Sequence, residues 1–456
     1  MIETNLENLK NDLREVVNLF GSEEDLSIRH IFKKAEDRVV NTVIFAGQSF
    51  AVCNLLPKNL NQIEEKRYIK RYAKLAVYKT LSKVLKKELP WGALTGIRPT
   101  KLAYMQLEET GDFKEFFMDT MKVSKEKTDL IDTILNEQKG IYKKDDTNTD
   151  FFVFIPFCPS RCKYCSFISA DVKSAEKLVD KYVDTLIYEI NQSKKHVKNL
   201  RSIYIGGGTP VALSDENLDK VLTALDDISN GVEYTVEAGR PDRITPSNLA
   251  ILKKHGVTRI CINPQTFKDE TLERLKRNHT SSDVEEKFEL AKSDFIVNMD
   301  LIAGLEGESV EDFKFSLDKA ISLSPDNITV HTLCVKRGSA LAQETSRLSD
   351  DDISLMVDYA RDKLTKNGYN PYYLYRQKYM RGNLENVGYA KKGKACIYNV
   401  NVMEEISSTV ACGANAISKR VFNGGERIER EASPKDVKTY LDKIDTILLA
   451  KEKLFG

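Results

Sequence analysis

The sequence predicts an α/β protein: a partial (β/α)6 barrel, preceded by an N-terminal α/β domain and followed by a C-terminal extension. Three observations carry that expectation. Between about 150 and 335, strand-like runs alternate six times with helical stretches, which demands parallel strands joined by right-handed crossovers. The runs are rich in Ile, Val, Tyr and Phe, as strands covered on both faces are. A chain of 456 residues, 41% of them apolar, is too long for one typical core, so two or three domains are expected. Six units are two short of an eightfold barrel, and an open doubly wound sheet is the alternative.

Residues 1–145 read as a separate α/β domain: NTVIFAGQSFAVCNLL is strand-like, Glu64 to Lys87 is a charged helix, and PWGALTGIRPTKLAYMQLEE is a turn-rich segment leading into another. YKKDDTNTD (142–150) is a polar linker. The core domain, 146–340, opens with the strand FFVFIPF, a cysteine-rich loop and a long helix from about Ser174 to Val197. The strands SIYIGGG, VEYTVEAG, VTRICINPQ, FIVNMDLIAG and NITVHTLCV follow, separated by helices such as SDENLDKVLTALDDI and VEDFKFSLDKAISL. The extension, 341–456, is less regular, and LYRQKYMRGNLENVGYAKKGKACIYNV has the Tyr, Gly and Lys content of a binding surface.

Charged residues make up 30% of the chain, but the net charge is +1, which argues against bulk electrostatic binding of nucleic acid or anionic membrane. The N-terminus, MIETNLENLKNDLREVVNLF, lacks the basic start and apolar core of a signal peptide, and no apolar run reaches membrane-spanning length. The expected location is cytoplasmic, where eight cysteines are not disulfide staples. Cys53, Cys261, Cys334, Cys396 and Cys412 are scattered; Cys261 and Cys334 lie in apolar runs, as small core residues do.

The remaining three, Cys158, Cys162 and Cys165, form C-x3-C-x2-C in IPFCPSRCKYCSF. Zinc wants four ligands, and no His or fourth Cys lies within twenty residues. A four-iron cluster on three thiolates leaves one iron open, which is useful where a cofactor or substrate binds. The loop follows the first strand, so it falls on the C-terminal rim, where parallel barrels place their active sites. Other features fall on that rim. Gly206, Gly207, Gly208 and Thr209 end the second strand, where backbone can approach a small charged group. Glu237 ends the third strand and Gln265 the fourth, Arg277 follows in LKRNHT, and Asp300 lies on the fifth. Together they suit a zwitterionic, ribose-bearing ligand; each alone reads as a solvated loop residue.

These motifs resemble a family. C-x3-C-x2-C after the first strand is the signature of radical S-adenosylmethionine (SAM) proteins. IPFCPSRCKYCSF, IYIGGGTP, VEAGRPD, NPQTFKDETLERLKRNHT and NMDLIAGLEGES occur in the order seen in the oxygen-independent coproporphyrinogen III oxidase-like group. WGALTGIRPTK, VHTLCVKRGSAL and YYLYRQKYMRGNLENVGYAKKGKACIYNV resemble its HemZ branch, usually named coproporphyrinogen dehydrogenase. The resemblance implies a [4Fe–4S] cluster on Cys158, Cys162 and Cys165, with SAM on the open iron. It implies cofactor contacts from Gly206 to Thr209, Glu237, Gln265, Arg277 and Asp300, and backbone contacts from Tyr164 and Cys334. The implied reaction is oxidative decarboxylation of coproporphyrinogen III propionates to vinyl groups in heme biosynthesis, with a flavodoxin or ferredoxin as electron donor. Arg376, Lys378 and Arg381 are candidates to hold tetrapyrrole carboxylates, a solvated basic loop being the plainer reading.

The sequence departs from the oxidases in two places. Their fourth cysteine is Phe167 here, and their Tyr-x-His before the cysteine loop is Phe152 and Phe154. The group includes a heme-trafficking protein and heme-degrading methyltransferases, so a heme carrier and a methyltransferase acting on heme stand as alternatives.

Overall fold

The computed structural model describes residues 1–21, 26–96, 98–165, 170–172, 176–334, 348–377 and 380–456, with the side chains of all but 63, 170, 171, 176 and 381. The chain divides into two compact units, Met1–Asp132 with Arg376–Leu384, and Thr133–Tyr375 with Glu385–Gly456. The division departs from the sequence expectation in two ways. The first boundary falls before 145, and the C-terminal extension is no separate unit: most of it joins the barrel, while nine of its residues belong to the N-terminal unit.

The N-terminal unit holds a four-stranded sheet, β1 (Ile2–Thr4), β2 (Ile28–Lys34), β3 (Arg38–Phe45) and β4 (Gln48–Leu55), in that spatial order. Val39, Asn41, Val43 and Phe45 alternate inward along β3. Ala46 and Gly47 both have positive φ, the two-residue turn that matches the twist of a hairpin. The α-helices α1 (Lys10–Val17), α2 (Gln62–Leu85) and α3 (Pro99–Thr110) belong to the same unit. Pro99 starts α3, where its missing N–H is harmless, and Gly111 ends it in the left-handed conformation. A fourth helix, α4 (Lys125–Glu137), carries the chain onward.

The second unit is built on β5 (Asn148–Ile155), β6 (Phe157–Cys158), β7 (Ala170–Asp171), β8 (Asn199–Gly207), β9 (Glu233–Gly239), β10 (Arg259–Ile262), β11 (Ile296–Ala303) and β12 (Asn327–Thr332). The strands β5, β8, β9, β10, β11 and β12 are neighbours in that order, and every pairing among them is parallel. These are the six strands the sequence predicts. The helices between them are α5 (Glu176–Ser193), α6 (Asp215–Thr223), α7 (Pro246–Lys254), α8 (Asp269–Arg274), α9 (Ser281–Ala291) and α10 (Val310–Leu323). Thr280 and Ser309 cap α9 and α10 in reciprocal boxes with Asp283 and Asp312, an arrangement typically worth about 1 kcal/mol per cap.

After α11 (Asp350–Lys366), β13 (Asn370–Tyr375) and β14 (Asn386–Ala390) add antiparallel strands beyond β12. After α12 (Ile397–Glu404), β15 (Ser408–Cys412) pairs in parallel with β5, and β16 (Ile417–Phe422) and β17 (Arg427–Ala432) extend that edge antiparallel. The helices α13 (Val437–Asp442) and α14 (Ile444–Phe455) close the chain. Among the described residues the result is an open sheet of eleven strands with seven parallel strands, the predicted six and β15, at its centre, a partial barrel. No helix among the described residues is long and apolar enough to cross a membrane.

Candidate active site

None of the three cysteines of the loop is in a disulfide; Cys162 is buried, and Cys158 and Cys165 are half-buried. The loop is anchored from several sides. Thr209 Oγ1 donates to Cys158 Sγ over 3.6 Å. Two guanidiniums face Cys162: Arg240 Nη1 lies 3.5 Å and Arg277 Nη1 4.0 Å from its sulfur. The Lys163 amide donates to Leu275 O, and Tyr164 packs on Leu275, Ile302, Leu305 and Leu333. Phe167, where the oxidases have a fourth cysteine, lies outside the described residues.

The glycine segment is stitched to the same strand. Gly208 N donates to Ile155 O at 2.7 Å and Thr209 N to Phe157 O at 2.8 Å. Those two amides serve the protein and not a ligand, which narrows the sequence reading of this segment. The glycines are required by space. A Cβ on Gly207, which has φ +104°, would stand 2.7 Å from the Phe154 ring, closer than packed side chains allow.

The predicted rim residues gather along adjacent strand ends. Arg277 Nη1 donates to Tyr164 OH at 2.7 Å, and its Nη2 to Asn263 O at 2.6 Å and Gly239 O at 3.2 Å. Gln265 sits at φ +69°; its amide donates to Asp300 O and its carbonyl accepts from Ile302 N, so an isolated bridge to β11 fixes it. Tyr204 OH donates to Glu237 Oε1 at 2.6 Å. Burial pushes the Glu237 carboxyl above its ordinary value, and the Tyr204 bond opposes that shift. Asp300 behaves differently. Burial would raise its carboxyl, but His331, Asn298 and Thr329 hold it below its usual value. Asn298 Nδ2 donates to Asp300 Oδ1 at 2.7 Å, and His331 Nε2 lies 3.6 Å from Oδ2. Cys334, half-buried, follows β12 on the same rim.

Several of these partners have no motif of their own. Tyr204, Asn298, His331 and Tyr375 escape a search for motifs, yet the alternation of a strand exposes them: 204 shares a face with 206, 298 with 300, and 331 with 329. His331 Nδ1 lies 3.2 Å from Tyr375 OH, so a chain of polar groups runs from Asp300 to β13. Phe152 stacks on Tyr398 at 6.0 Å, and Tyr398 on Tyr204 at 4.2 Å, giving an aromatic slab beneath Glu237.

One candidate is corrected. Arg376 is 3% exposed and belongs to the N-terminal unit. Its guanidinium lies 5.0 Å over the Trp91 ring and donates to Leu94 O at 2.5 Å, to Leu384 O, and to the carbonyl and side chain of Asn383. Those bonds occupy the group that was to hold a carboxylate. Lys378 and the side chain of Arg381 lie outside the described residues.

The Radical SAM superfamily matches residues 152–320. Over 375 residues the chain is 37% identical to the oxygen-independent coproporphyrinogen-III oxidase-like protein HemZ of Bacillus subtilis, which covers 78% of this chain and 75% of that one. The chain belongs to the HemZ-like radical SAM family. The heme chaperone HemW of Haemophilus influenzae is 30% identical to this HemZ-like chain over 64% of it and 75% of the chaperone. HemW of Lactococcus lactis is 34% identical over 49% of this chain and 60% of its own length. The solved structure of coproporphyrinogen III oxidase (HemN) from Escherichia coli, a radical SAM enzyme, superposes with a TM-score of 0.54 at 21% identity, covering 67% of this chain and 71% of that one, and shows the same fold.

The cofactors of this HemZ-like chain are therefore a [4Fe–4S] cluster and SAM. The residues present fit them. Three thiols outside any disulfide share one loop, two guanidiniums and a hydroxyl point at two of the sulfurs, and Glu237 and Asp300 stand on strands β9 and β11 of the same sheet.

Proposed function

We propose that this HemZ-like protein decarboxylates the propionates of coproporphyrinogen III to vinyl groups, without oxygen, in heme biosynthesis. What supports the reading is the gathering of the cysteine loop, Glu237, Gln265, Arg277 and Asp300 along the strand ends of one sheet, the groups proposed here to handle both cofactors. Cys158, Cys162 and Cys165 hold the cluster. Arg277 faces the cofactor carboxylate, Glu237 and Gly206 to Thr209 its amine, and Asp300 accepts from a ribose hydroxyl. Gln265, Tyr164 and Cys334 flank the adenosine. When bound, cluster and SAM would supply one-electron chemistry able to remove a hydrogen atom from the substrate propionate, with a flavodoxin or ferredoxin as electron donor and a separate electron acceptor taking the electron left behind when carbon dioxide departs. Asp300, kept anionic by His331 and Asn298, is suited to hold two hydroxyls without itself donating a proton. The stacked rings of Phe152, Tyr398 and Tyr204 form an aromatic cluster next to Glu237, the kind of wall a flat tetrapyrrole packs against. Lys378 and Arg381 are the proposed grips for its carboxylates.

A second reading, a heme carrier, is favoured by Phe152 and Phe154. Both lack the hydroxyl and imidazole of the oxidases, and both rings are used in packing. Anaerobic turnover separates the two. With reconstituted cluster, reductant, SAM and coproporphyrinogen III, the product is expected to have lost two carboxyl groups by mass spectrometry. Cys162→Ala is expected to abolish the loss together with iron and sulfide binding. 5′-Deoxyadenosine without porphyrin change would remove coproporphyrinogen III as substrate. Heme bound unchanged, with no cofactor cleaved, would select the carrier.

A further inference from the structure

Arg240 stands one residue beyond β9, on the rim that carries the cysteine loop, and is 4% exposed. Gly239, at φ +61°, turns the chain there, and the Arg240 amide donates back to Ala238 O at 2.6 Å. One edge of the guanidinium is taken by its own neighbour: Nε and Nη2 donate to the two oxygens of Asp242 at 2.8 and 3.1 Å. The remaining nitrogen, Nη1, donates to Ser160 Oγ at 3.1 Å and to Cys162 Sγ at 3.5 Å. Both acceptors belong to the cysteine loop. A buried cation forked onto a carboxylate is geometrically rigid, so its third edge is aimed rather than free to wander. A neutral thiol is a weak acceptor for such a group, whereas a thiolate is a strong one. Arg277 is the weaker second donor: its short bonds go to Tyr164, Gly239 and Asn263, and its Nη1 reaches the same sulfur only at 4.0 Å.

We propose that Arg240 is a positioning residue that sets the reduction potential of the cluster, through an N–H···S bond to Cys162 held in place by Asp242. Reduction adds one electron, taken from a low-potential electron-transfer protein, to a group already made anionic by thiolates. A fixed positive charge and a donor on one sulfur stabilise the reduced form more than the oxidised form. No bond in the chain is made or broken. The inference rests on Cys162 being a cluster ligand, which the iron content of Cys162→Ala tests separately.

The experiment is a redox titration of reconstituted wild type, Arg240→Gln and Arg240→Lys, followed by electron paramagnetic resonance of the reduced cluster. SAM affinity is measured on the same preparations by calorimetry. Arg240→Gln is expected to keep its iron and sulfide while its reduction equilibrium falls about tenfold, a shift of about 59 mV to more negative potential for one electron. Arg240→Lys keeps the charge but loses the fork, and is expected to shift less. SAM affinity should stay within about twofold, because the residue is aimed at a sulfur and not at the cofactor. An intact cluster with unchanged potential in Arg240→Gln would overturn the proposal. Weakened SAM binding at unchanged potential would make Arg240 a cofactor ligand instead. Loss of the cluster in both variants would reduce its role to shaping the loop.

Discussion

Two carboxylates inside the barrel show how neighbours decide what burial does to a charge. Glu237 has one phenol donor and burial wins, so its carboxyl is raised. Asp300 has an imidazole, an amide and a hydroxyl around it, and they win. A third carboxylate gives the clearest pH test. Burial raises Asp150 from 3.8 to about 6, although Ser202 and Asn401 both donate to its Oδ1. For an acid raised in the folded state, the stability advantage is complete below its unfolded value and is lost as pH rises through the folded value. The charge therefore weighs on the fold fully above about pH 6 and not below about pH 4, by on the order of 2–3 kcal/mol. Asp150→Asn keeps an oxygen for both donors and never ionises. It is expected to raise the unfolding temperature clearly at pH 7.5 and little at pH 4.5. Equal changes at both pH values would contradict this account.

At the scale of elements, α14 is bound to the barrel by a buried ion pair. Lys451 Nζ lies 2.7 Å from Glu189 Oε1, with side chains 2% and 0% exposed. The other oxygen of Glu189 accepts from Tyr440 OH at 2.6 Å and from Gly413 N at 2.7 Å. Gly413 packs beside Phe154, and Tyr182 OH bridges Phe154 O and Ala414 N. Helices α5, α13 and α14 thus brace the end of the strand that leads into the cysteine loop. Lys451→Ala strands Glu189 in the interior, and is expected to cost about 3–5 kcal/mol by urea unfolding. The paired change Glu189→Gln with Lys451→Met should recover most of it. A loss below about 1 kcal/mol in the single variant would show that the pair is not the anchor.

At the scale of the molecule, the chain leaves the barrel unit after Tyr375 and rejoins it at Glu385, and the residues between belong to the N-terminal unit. Within that unit, Trp91 is fully buried and Arg376 lies over its ring. WGALTGIRPTK therefore includes the seat of this excursion, a role the turn chemistry of the motif does not reveal. Trp91→Ala opens a large cavity and removes the cation–π contact. Amides of 376–384 are expected to exchange about tenfold faster or more, while those of the parallel strands hold their protection. Unchanged exchange across 376–384 would mean that Trp91 does not hold it.

The sequence alone determined the six parallel strands, because strand, crossover helix and strand repeat locally and the crossovers share one hand, but it left an open doubly wound sheet beside the partial barrel. It also determined the cysteine loop, the glycine segment and the run of polar strand ends, since residues at the ends of parallel strands must share a rim. Which groups surround them depends on the packing of elements far apart in the chain. Arg240 reaches Cys162 across 78 positions of sequence, and Tyr375 reaches His331 across 44. Arg376 reaches Leu94 across 282, which turned a candidate substrate residue into a structural one. Periodicity is a property of neighbours along the chain, whereas such pairings depend on how separate elements are brought together, and no local pattern encodes them.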